Sequence, residues 1–364
     1  MMVILHFIPT LAGGGAERQL AMLAIEQARQ GHRVHVGVRT GGVHEQALRD
    51  EGIVVHKLGN HRGPSPVLAL KIWRLVRRVQ PHVVQTWLMQ MDLVGGAVAL
   101  LCAVPWVGTE RSSAGAYQSA GLRWRVWLRR FLFARADAIV ANSTMGAAYW
   151  RAQLGPTARV HRVGNAIDVA AIRAVDSLHC GQPPSHRHQI LVVGRLIASK
   201  ALDVVIEAVD GLPADCPVQV RIIGDGPLHA EVDAAIQRRA LSGRVTLHPY
   251  SDKWWCELHR AAVLVSMSRY EGQPNVVLEA MAAGCPLIVS DIPAHREILN
   301  EASALFVPVD HAQALVSALL DVLADRRGAD QRAQQACALV EQLTVQNAKN
   351  AYDQVYSLAM RRGV

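Results

Sequence analysis

The chain has 364 residues, too many for one ordinary domain and enough for two of about 170, each able to bury a substantial core. Six cysteines are scattered without a C-x-x-C pair, which argues against a zinc site or a disulfide framework and suits a reducing, cytoplasmic compartment. Residues 1–170 hold 20 Lys and Arg against 9 Asp and Glu, a net of +11, whereas the remainder carries 18 against 21, a net of −3, so the first half faces an anionic partner: a nucleic acid or an acidic membrane surface.

Residues 2–9 are an apolar run that predicts a short buried strand, with no basic-then-apolar leader ahead of it. His6 lies on that strand as a core or cleft-wall residue. A glycine loop at 11–15, a helix over 16–29 closed by Gly31, and a strand over 33–38 complete a β-α-β unit. Gly13, Gly14 and Gly15 let backbone approach a phosphate, and the helix start at Ala16 adds its positive end. G-x-G-x-x-G is not satisfied, since Ala16 and Arg18 stand where further glycines would be wanted and no acidic residue ends the next strand. That counts against a dehydrogenase.

A basic helix follows with Lys71, Arg74, Arg77 and Arg78. The apolar stretch 93–108 is shorter than the ~20 residues of a spanning helix and is broken by Gly95, Gly96 and Pro105, so it predicts a buried helix and then a strand. Residues 121–135 form the sharpest basic element. On a helix, Trp124, Trp127, Leu128, Phe131 and Leu132 share one face, while Arg123, Arg125, Arg129 and Arg130 fall on the other. An interfacial membrane helix is built this way; an ordinary amphipathic helix on the domain core is the alternative. No recognised nucleic-acid motif accompanies the basic residues.

After a polar, proline-containing linker at 176–189 the pattern restarts with a strand at 190–193, a turn at Gly194, a helix near 202–209 and a strand at 218–223. Alternating strands and helices predict parallel sheets covered on both faces, with ligands at the carboxyl ends of the strands. Arg195 follows the strand ILVVG directly and Lys200 comes five residues later, so both cations can lie at that end. In IIGDGP, Gly224 and Gly226 either allow close approach of a ligand or make a tight strand exit.

The run RYEGQPNVVLEAMAAGCPLIVSD carries the most information. Glu271 lies in a loop opened by Gly272 and Pro274, and Glu279 lies one turn inside a helix that starts near Asn275 and stops at Gly284. Amides of residues 273–277 at the helix start suit an anion, and the two carboxylates suit hydroxyls. A sugar joined to a phosphate has both.

The string EG-x-P-N-V-x-L-E-A-M-A-x-G resembles the paired-glutamate signature of retaining glycosyltransferase family 4. GGGAER, VVGRLIASKALDVVIEAV and IIGDGP precede it in the family's order, so the resemblance spans about residues 9–300. It implies the α/β GT-B fold, two facing Rossmann-like domains with parallel sheets and a ligand cleft: an acceptor domain over 1–170, a donor domain over 171–345, and a C-terminal helix over 346–364 returning to the first. It further implies that Arg195 and Lys200 neutralise the donor diphosphate, that Glu271 accepts from donor-sugar hydroxyls, and that Glu279 accepts from ribose hydroxyls. Gly194, Gly224, Gly226, Gly272, Gln273, Pro274, Asn275 and Val276 would line the donor site, met by Gly13, Gly14 and Gly15. His248, Pro249 and Tyr250 would contribute contacts to the base.

Departures from the family pattern are specific. Gln85 and Trp87 stand where an H-x-H motif is common, and Gln90 stands where members with a Q-T-W segment carry a histidine. Asn165-Ala166 replaces Asn-Gly, and the segment with His295 replaces a Gly-Gly pattern before Glu297. No general base is assigned, which fits the front-face retaining mechanism, in which the leaving phosphate oxygen takes the acceptor's proton. The implied activity is metal-independent, without a cofactor beyond the nucleoside diphosphate sugar. It moves a hexose or N-acetylhexosamine from a UDP- or GDP-linked donor to a lipid-linked glycan of a surface polysaccharide such as lipopolysaccharide, on the cytoplasmic face of the membrane and without nucleic acid. The alternatives are a soluble transferase acting on a small metabolite and a non-catalytic sugar-nucleotide-binding subunit.

Overall fold

A computed structural model describes residues 1–59, 65–111, 123–175, 188–251 and 254–361. The linker expected at 176–189 lies outside these residues up to position 187, as do the first two residues of the basic 121–135 segment. The chain forms two compact units, Met1–Ala166 together with Val345–Val364, and Ile167–Thr344.

The first unit is built on strands β1 (Val3–Ile8), β2 (Arg33–Val38), β3 (Val54–Lys57), β4 (Val83–Thr86), β5 (Trp106–Glu110), β6 (Ala138–Ala141) and β7 (Val160–Arg162). They pair in the order β3-β2-β1-β4-β5-β6-β7, all parallel. Every residue of β1, β4, β5 and β6 is buried, as expected where helices cover both faces of a parallel sheet. Alternation still sorts the side chains: Ile4 and Ile8 join one apolar cluster, Leu5 and Phe7 the other. The helix Gly15–Arg29 follows the glycine loop, and Gly31, at φ 84, takes the left-handed turn that lets the chain re-enter as β2. The C-terminal helix Val345–Met360 packs on this unit beside the Gly15–Arg29 helix, burying Tyr352 and Tyr356.

The second unit holds β8 (Gln189–Val193), β9 (Gln219–Ile223), β10 (Val245–His248), β11 (Val263–Ser266), β12 (Leu287–Ser290) and β13 (Leu305–Val307). Their order is β10-β9-β8-β11-β12-β13, again all parallel. Strand order reverses between β1 and β4 in the first sheet and between β8 and β11 in the second, which is where doubly wound sheets open a crevice at their carboxyl ends. Among the described residues no helix is long and apolar enough to cross a membrane. Cys102, Cys216, Cys285 and Cys337 are free, whereas Cys256 is disulfide-bonded, which its spacing did not announce.

The basic helix Arg123–Phe133 corrects the sequence reading at Arg129. Arg129 is 2% exposed, whereas Trp124 and Trp127 are 55% and 67% exposed and Phe131 is exposed beside them. The cause is electrostatic. Asp92 and Glu110 are both buried, and Arg129 reaches them at 2.7 and 2.8 Å while donating to the Thr109 carbonyl at 2.8 Å. Thr86 Oγ1 donates to Asp92 at 2.6 Å and Trp150 Nε1 to Glu110 at 2.7 Å, completing the network. Two carboxylates in a core demand a cation, so the helix turns that arginine inward. Arg123 and Arg130 stay exposed, and Arg125 is half-buried over the Trp124 ring.

Arg129→Met should therefore destabilise the protein by about 3 to 5 kcal/mol in chemical unfolding, because it strands two buried carboxylates. Arg130→Met, on the exposed face, should stay within about 0.5 kcal/mol of the parent. Equal effects from the two substitutions would contradict the network's role.

Candidate active site

β8 runs straight into Gly194 and Arg195, and β11 into Met267 and Ser268. These two exits flank the order reversal, and between them lies a small recess lined by Gly194, Arg195, Lys200, Ser266 and Ser268 over an apolar floor of Val192, Ile222 and Val265. Arg195 is exposed and makes no ion pair among the described residues. A single 3-10 turn, Ala198–Lys200, brings Lys200 back beneath Gly194, where an added Cβ would sit 3.3 Å from Lys200 Cε. Glycine at 194 leaves that space.

Lys200 Nζ pairs with Glu271 Oε1, which also accepts from Ser268 Oγ at 2.7 Å. Burial pushes the Glu271 carboxyl up, but the Lys200 charge and the hydrogen bonds from Lys200 and Ser268 outweigh it and hold the group below its ordinary value. Glu271 is thus a carboxylate at neutral pH. Lys200 and Glu271, assigned separate roles from sequence, neutralise each other.

Gly272, Gln273 and Pro274 are buried and lead into the helix Asn275–Ala283, whose N-cap residue, Pro274, offers no side-chain cap. Amide groups of the first turn, around Asn275 and Val276, carry the helix's positive end. Glu279 sits one turn on and is 1% exposed, with Val277 and Leu278 buried beside it. Gly284, at φ 68, ends the helix in the left-handed region. At the β9 exit, a Cβ on Gly224 would collide with the Gly194 carbonyl and one on Gly226 with the Leu196 backbone. Leu196 N donates to the Asp225 carbonyl at 2.9 Å and Leu228 N to the Leu196 carbonyl at 3.1 Å. Close packing of two strand exits therefore accounts for both glycines. Tyr250 N donates to Asp225 Oδ2 at 3.1 Å, which draws the segment after β10 to the same edge.

In the first unit Gly13 takes φ 101, Gly14 caps the Gly15–Arg29 helix, and a Cβ on Gly14 would strike the Glu17 carboxylate. Beneath this loop, His6 is fully buried. Trp87 Nε1, which can only donate, points at His6 Nδ1 at 3.2 Å, so the ring proton is on Nε2, 2.8 Å from Gln27 Oε1. Burial lowers the His6 pKa to about 4. Both nitrogens are committed, and the residue belongs to the core. Gln85 is buried and accepts from Tyr356 OH, while Gln90 accepts from Arg39. Gln85 and Trp87 thus stand in the core, and Gln90 is half-buried against Arg39. Arg111, at the exit of β5, stacks 4.4 Å over the Trp87 ring and donates to Asn165 Oδ1 and to Tyr352 OH.

The model of Glycosyltransferase Family 4 matches residues 13–171, and that of Glycosyl transferases group 1 matches residues 187–325. The chain belongs to glycosyltransferase family 4. The lipopolysaccharide core biosynthesis glycosyltransferase LpsE of Rhizobium meliloti is 25% identical over 320 residues, covering 86% of each chain. A GDP-mannose-dependent alpha-mannosyltransferase of Mycobacterium tuberculosis is 27% identical over 281 residues, covering 71% of this chain and 70% of its own. Among solved structures, the Anabaena protein Alr3699/HepE in complex with UDP-glucose superposes with a TM-score of 0.87 at 18% identity, covering 98% of this chain and all of the other. The apo lipopolysaccharide outer core galactosyltransferase WaaB gives a TM-score of 0.73 at 15% identity, covering 98% and 99%. The fold is GT-B.

In this glycosyltransferase the second unit alone brings Arg195, Lys200 and Glu271 to one strand edge. Gly13, Gly14 and Gly15 lie in the other unit. Among the described residues no cluster of three or more His, Cys, Asp or Glu is placed to hold a metal ion. Sequence reading missed Ser268 and Arg111. A polar residue within two positions of the end of an interior parallel strand was the available signal for both, as it was for Arg195.

His6 also sets a pH dependence. Its folded pKa of about 4 lies below its ordinary 6.5, so between those values the unfolded chain binds a proton that the folded glycosyltransferase refuses. Stability is then fully present above 6.5 and falls as pH drops toward 4. His56 and His295, lowered to about 4 in the same way, act in the same sense. His6→Gln should give a shallower decline in unfolding free energy between pH 6.5 and 4.5; an unchanged slope would contradict the assignment.

Proposed function

We propose that this glycosyltransferase moves a hexose or N-acetylhexosamine from a UDP- or GDP-linked donor to a lipid-linked glycan, with retention of configuration and without a metal. The observation that carries the reading is the recess between β8 and β11, lined by two cations, Arg195 and Lys200, the second of which is paired with the carboxylate of Glu271. A departing diphosphate gathers negative charge as the sugar bond breaks, and fixed cations at a partly dry strand edge stabilise that charge without solvent reorganisation. Arg195 is available to clamp it directly. Lys200 exchanges part of its contact with Glu271 for the diphosphate, which frees Glu271 to accept from a sugar hydroxyl. Glu279, buried one turn into its helix, takes the ribose. These two cations supply the positive charge that a metal would otherwise bring.

Retention accords with a first unit in which both ring nitrogens of His6 are committed, to Trp87 and to Gln27, and no histidine stands at positions 85, 87 or 90; in this reading the leaving phosphate oxygen is the acceptor's base. Neighbours solved with UDP and UDP-glucose favour a uridine donor, and the mannosyltransferase relative keeps guanosine in view. The lipopolysaccharide relative favours a surface-glycan acceptor.

A lipid-linked acceptor is further supported by the first unit's surface. The helices Pro66–Val79 and Arg123–Phe133 both pack on the Leu88–Leu101 helix, and they expose Leu70, Trp73, Trp124, Trp127 and Phe131 among Arg74, Arg77, Arg78, Arg123 and Arg130. Exposed indoles set among arginines suit the headgroup region of an anionic leaflet.

Three measurements test the reading. Arg195→Ala should lower turnover of the preferred nucleotide sugar by about a hundredfold or more with unchanged melting, because no partner is stranded; a loss under about threefold would sink the role. Preference among donors is read by a thermal-shift panel of UDP, GDP and ADP and their sugars. Replacing Trp124, Trp127 and Phe131 by Ala and Arg123 and Arg130 by Gln should release the protein from phosphatidylserine liposomes by at least about tenfold, with donor hydrolysis retained. Undiminished liposome binding would return this helix to a soluble surface.

A further inference from the structure

We infer that His295 is a specificity-determining residue whose Nε2 accepts a hydrogen bond from a hydroxyl of the donor sugar. The inference rests on the donor-binding reading above and deepens it at a position where the family's usual Gly-Gly pattern is absent.

His295 lies in the short helix Pro293–Arg296 just beyond β12, at the same carboxyl edge as Arg195 and Ser268, and is fully buried. Its Nδ1 is 2.7 Å from the Ser290 carbonyl oxygen. A carbonyl only accepts, so Nδ1 carries the ring proton and Nε2 presents a lone pair. That Nε2 is buried and has no hydrogen-bond partner among the described residues. A buried acceptor without a donor costs stability, and its presence in a folded protein calls for a partner that is not part of the chain.

The partner's chemistry follows from the surroundings. Ser290 Oγ donates to the Ser268 carbonyl at 2.5 Å, and Ser268 Oγ donates to Glu271, which holds Lys200. His295 is thereby fixed into the hydrogen-bonded chain that ends in the Lys200–Glu271 pair, close enough for both charges to act on the ring. Burial keeps the ring neutral at physiological pH, with its pKa lowered to about 4. A neutral lone pair repels phosphate and carboxylate oxygens and attracts O–H donors. Arg195 and Lys200 take the charged part of the donor; Glu271 and His295 Nε2 are two acceptors for its polyhydroxylated part.

Two substitutions separate the ring nitrogens. His295→Asn keeps an N–H where Nδ1–H stands and removes the acceptor, whereas His295→Gln carries an amide oxygen out to the Nε2 position. Calorimetry with UDP and with UDP-glucose, or with GDP and GDP-mannose if the wild type prefers them, reads the difference. His295→Asn should leave the bare nucleotide within about twofold and weaken the nucleotide sugar by about tenfold, a shift set by one hydrogen bond; His295→Gln should recover to within about threefold. Monodeoxy donors on the unaltered protein give an independent reading: one of them should lose about tenfold in wild type and nothing further in His295→Asn. Equal losses for nucleotide and nucleotide sugar, or no deoxy donor that loses affinity, overturn the inference. Failure of the wild type to bind any nucleoside diphosphate overturns the donor reading itself and is distinguished by appearing before any substitution is made.

Discussion

A parallel strand covered on both faces carries a charged side chain only where a partner meets it, as Arg129 meets Glu110 at the end of β5, and this constraint organises both units. The central strands β1, β4, β8, β11 and β12 contain no Lys, Arg, Asp or Glu, because a charge there would lose its water without gaining a partner. Chemistry is therefore confined to strand ends. Where the order of strands reverses, neighbouring chains leave the sheet in opposite directions and the edge stays open. Gly194, Arg195 and Ser268 occupy such an edge in the second unit.

Charge is handled in two contrasting ways. In the first unit Arg129, Asp92 and Glu110 form a closed, dry network, each group saturated by the others and by Thr86, Thr109 and Trp150. Closed networks of this kind specify how a helix is seated and have nothing left for a ligand. In the second unit Lys200 and Glu271 form a pair at an open edge, with Arg195 exposed nearby. An ion pair at an edge can be exchanged for a ligand's charges, since water and the incoming group compensate what the partners give up. The same residue types thus form a closed network in one unit and an open pair in the other, according to enclosure.

Much of the fold was legible because its signals are local. Apolar runs broken by glycine and proline located β1, β8, β9 and the helix Asn275–Ala283 to within a residue or two, since strand burial and helix capping depend on immediate neighbours. The places of Arg195 and Lys200 after β8, of Glu271 in its loop and of Glu279 inside its helix were legible through their spacing to those elements, whereas their roles were implied only by the family resemblance. The faces of the Arg123–Phe133 helix were not, because helical periodicity reports an apolar stripe and says nothing of two carboxylates waiting in the core. Gly224 and Gly226 could be placed in a turn, but whether they admit a ligand or a neighbouring strand exit depended on Leu196 and Gly194, about thirty residues earlier.

By itself the sequence determined the alternation of strand and helix, the ends of β1, β2, β8 and β9, and the residue types gathered there, because these follow from periodicity and turn chemistry along one stretch of chain. Tertiary structure alone decided which groups meet: Lys200 with Glu271, Ser290 with Ser268 and His295, His6 with Trp87 and Gln27, Arg129 with Asp92 and Glu110. Those pairings set protonation, available lone pairs and unspent charge. Parallel sheets join residues distant in the chain, and a hydrogen bond is settled within about 3 Å, a scale on which sequence separation carries no information.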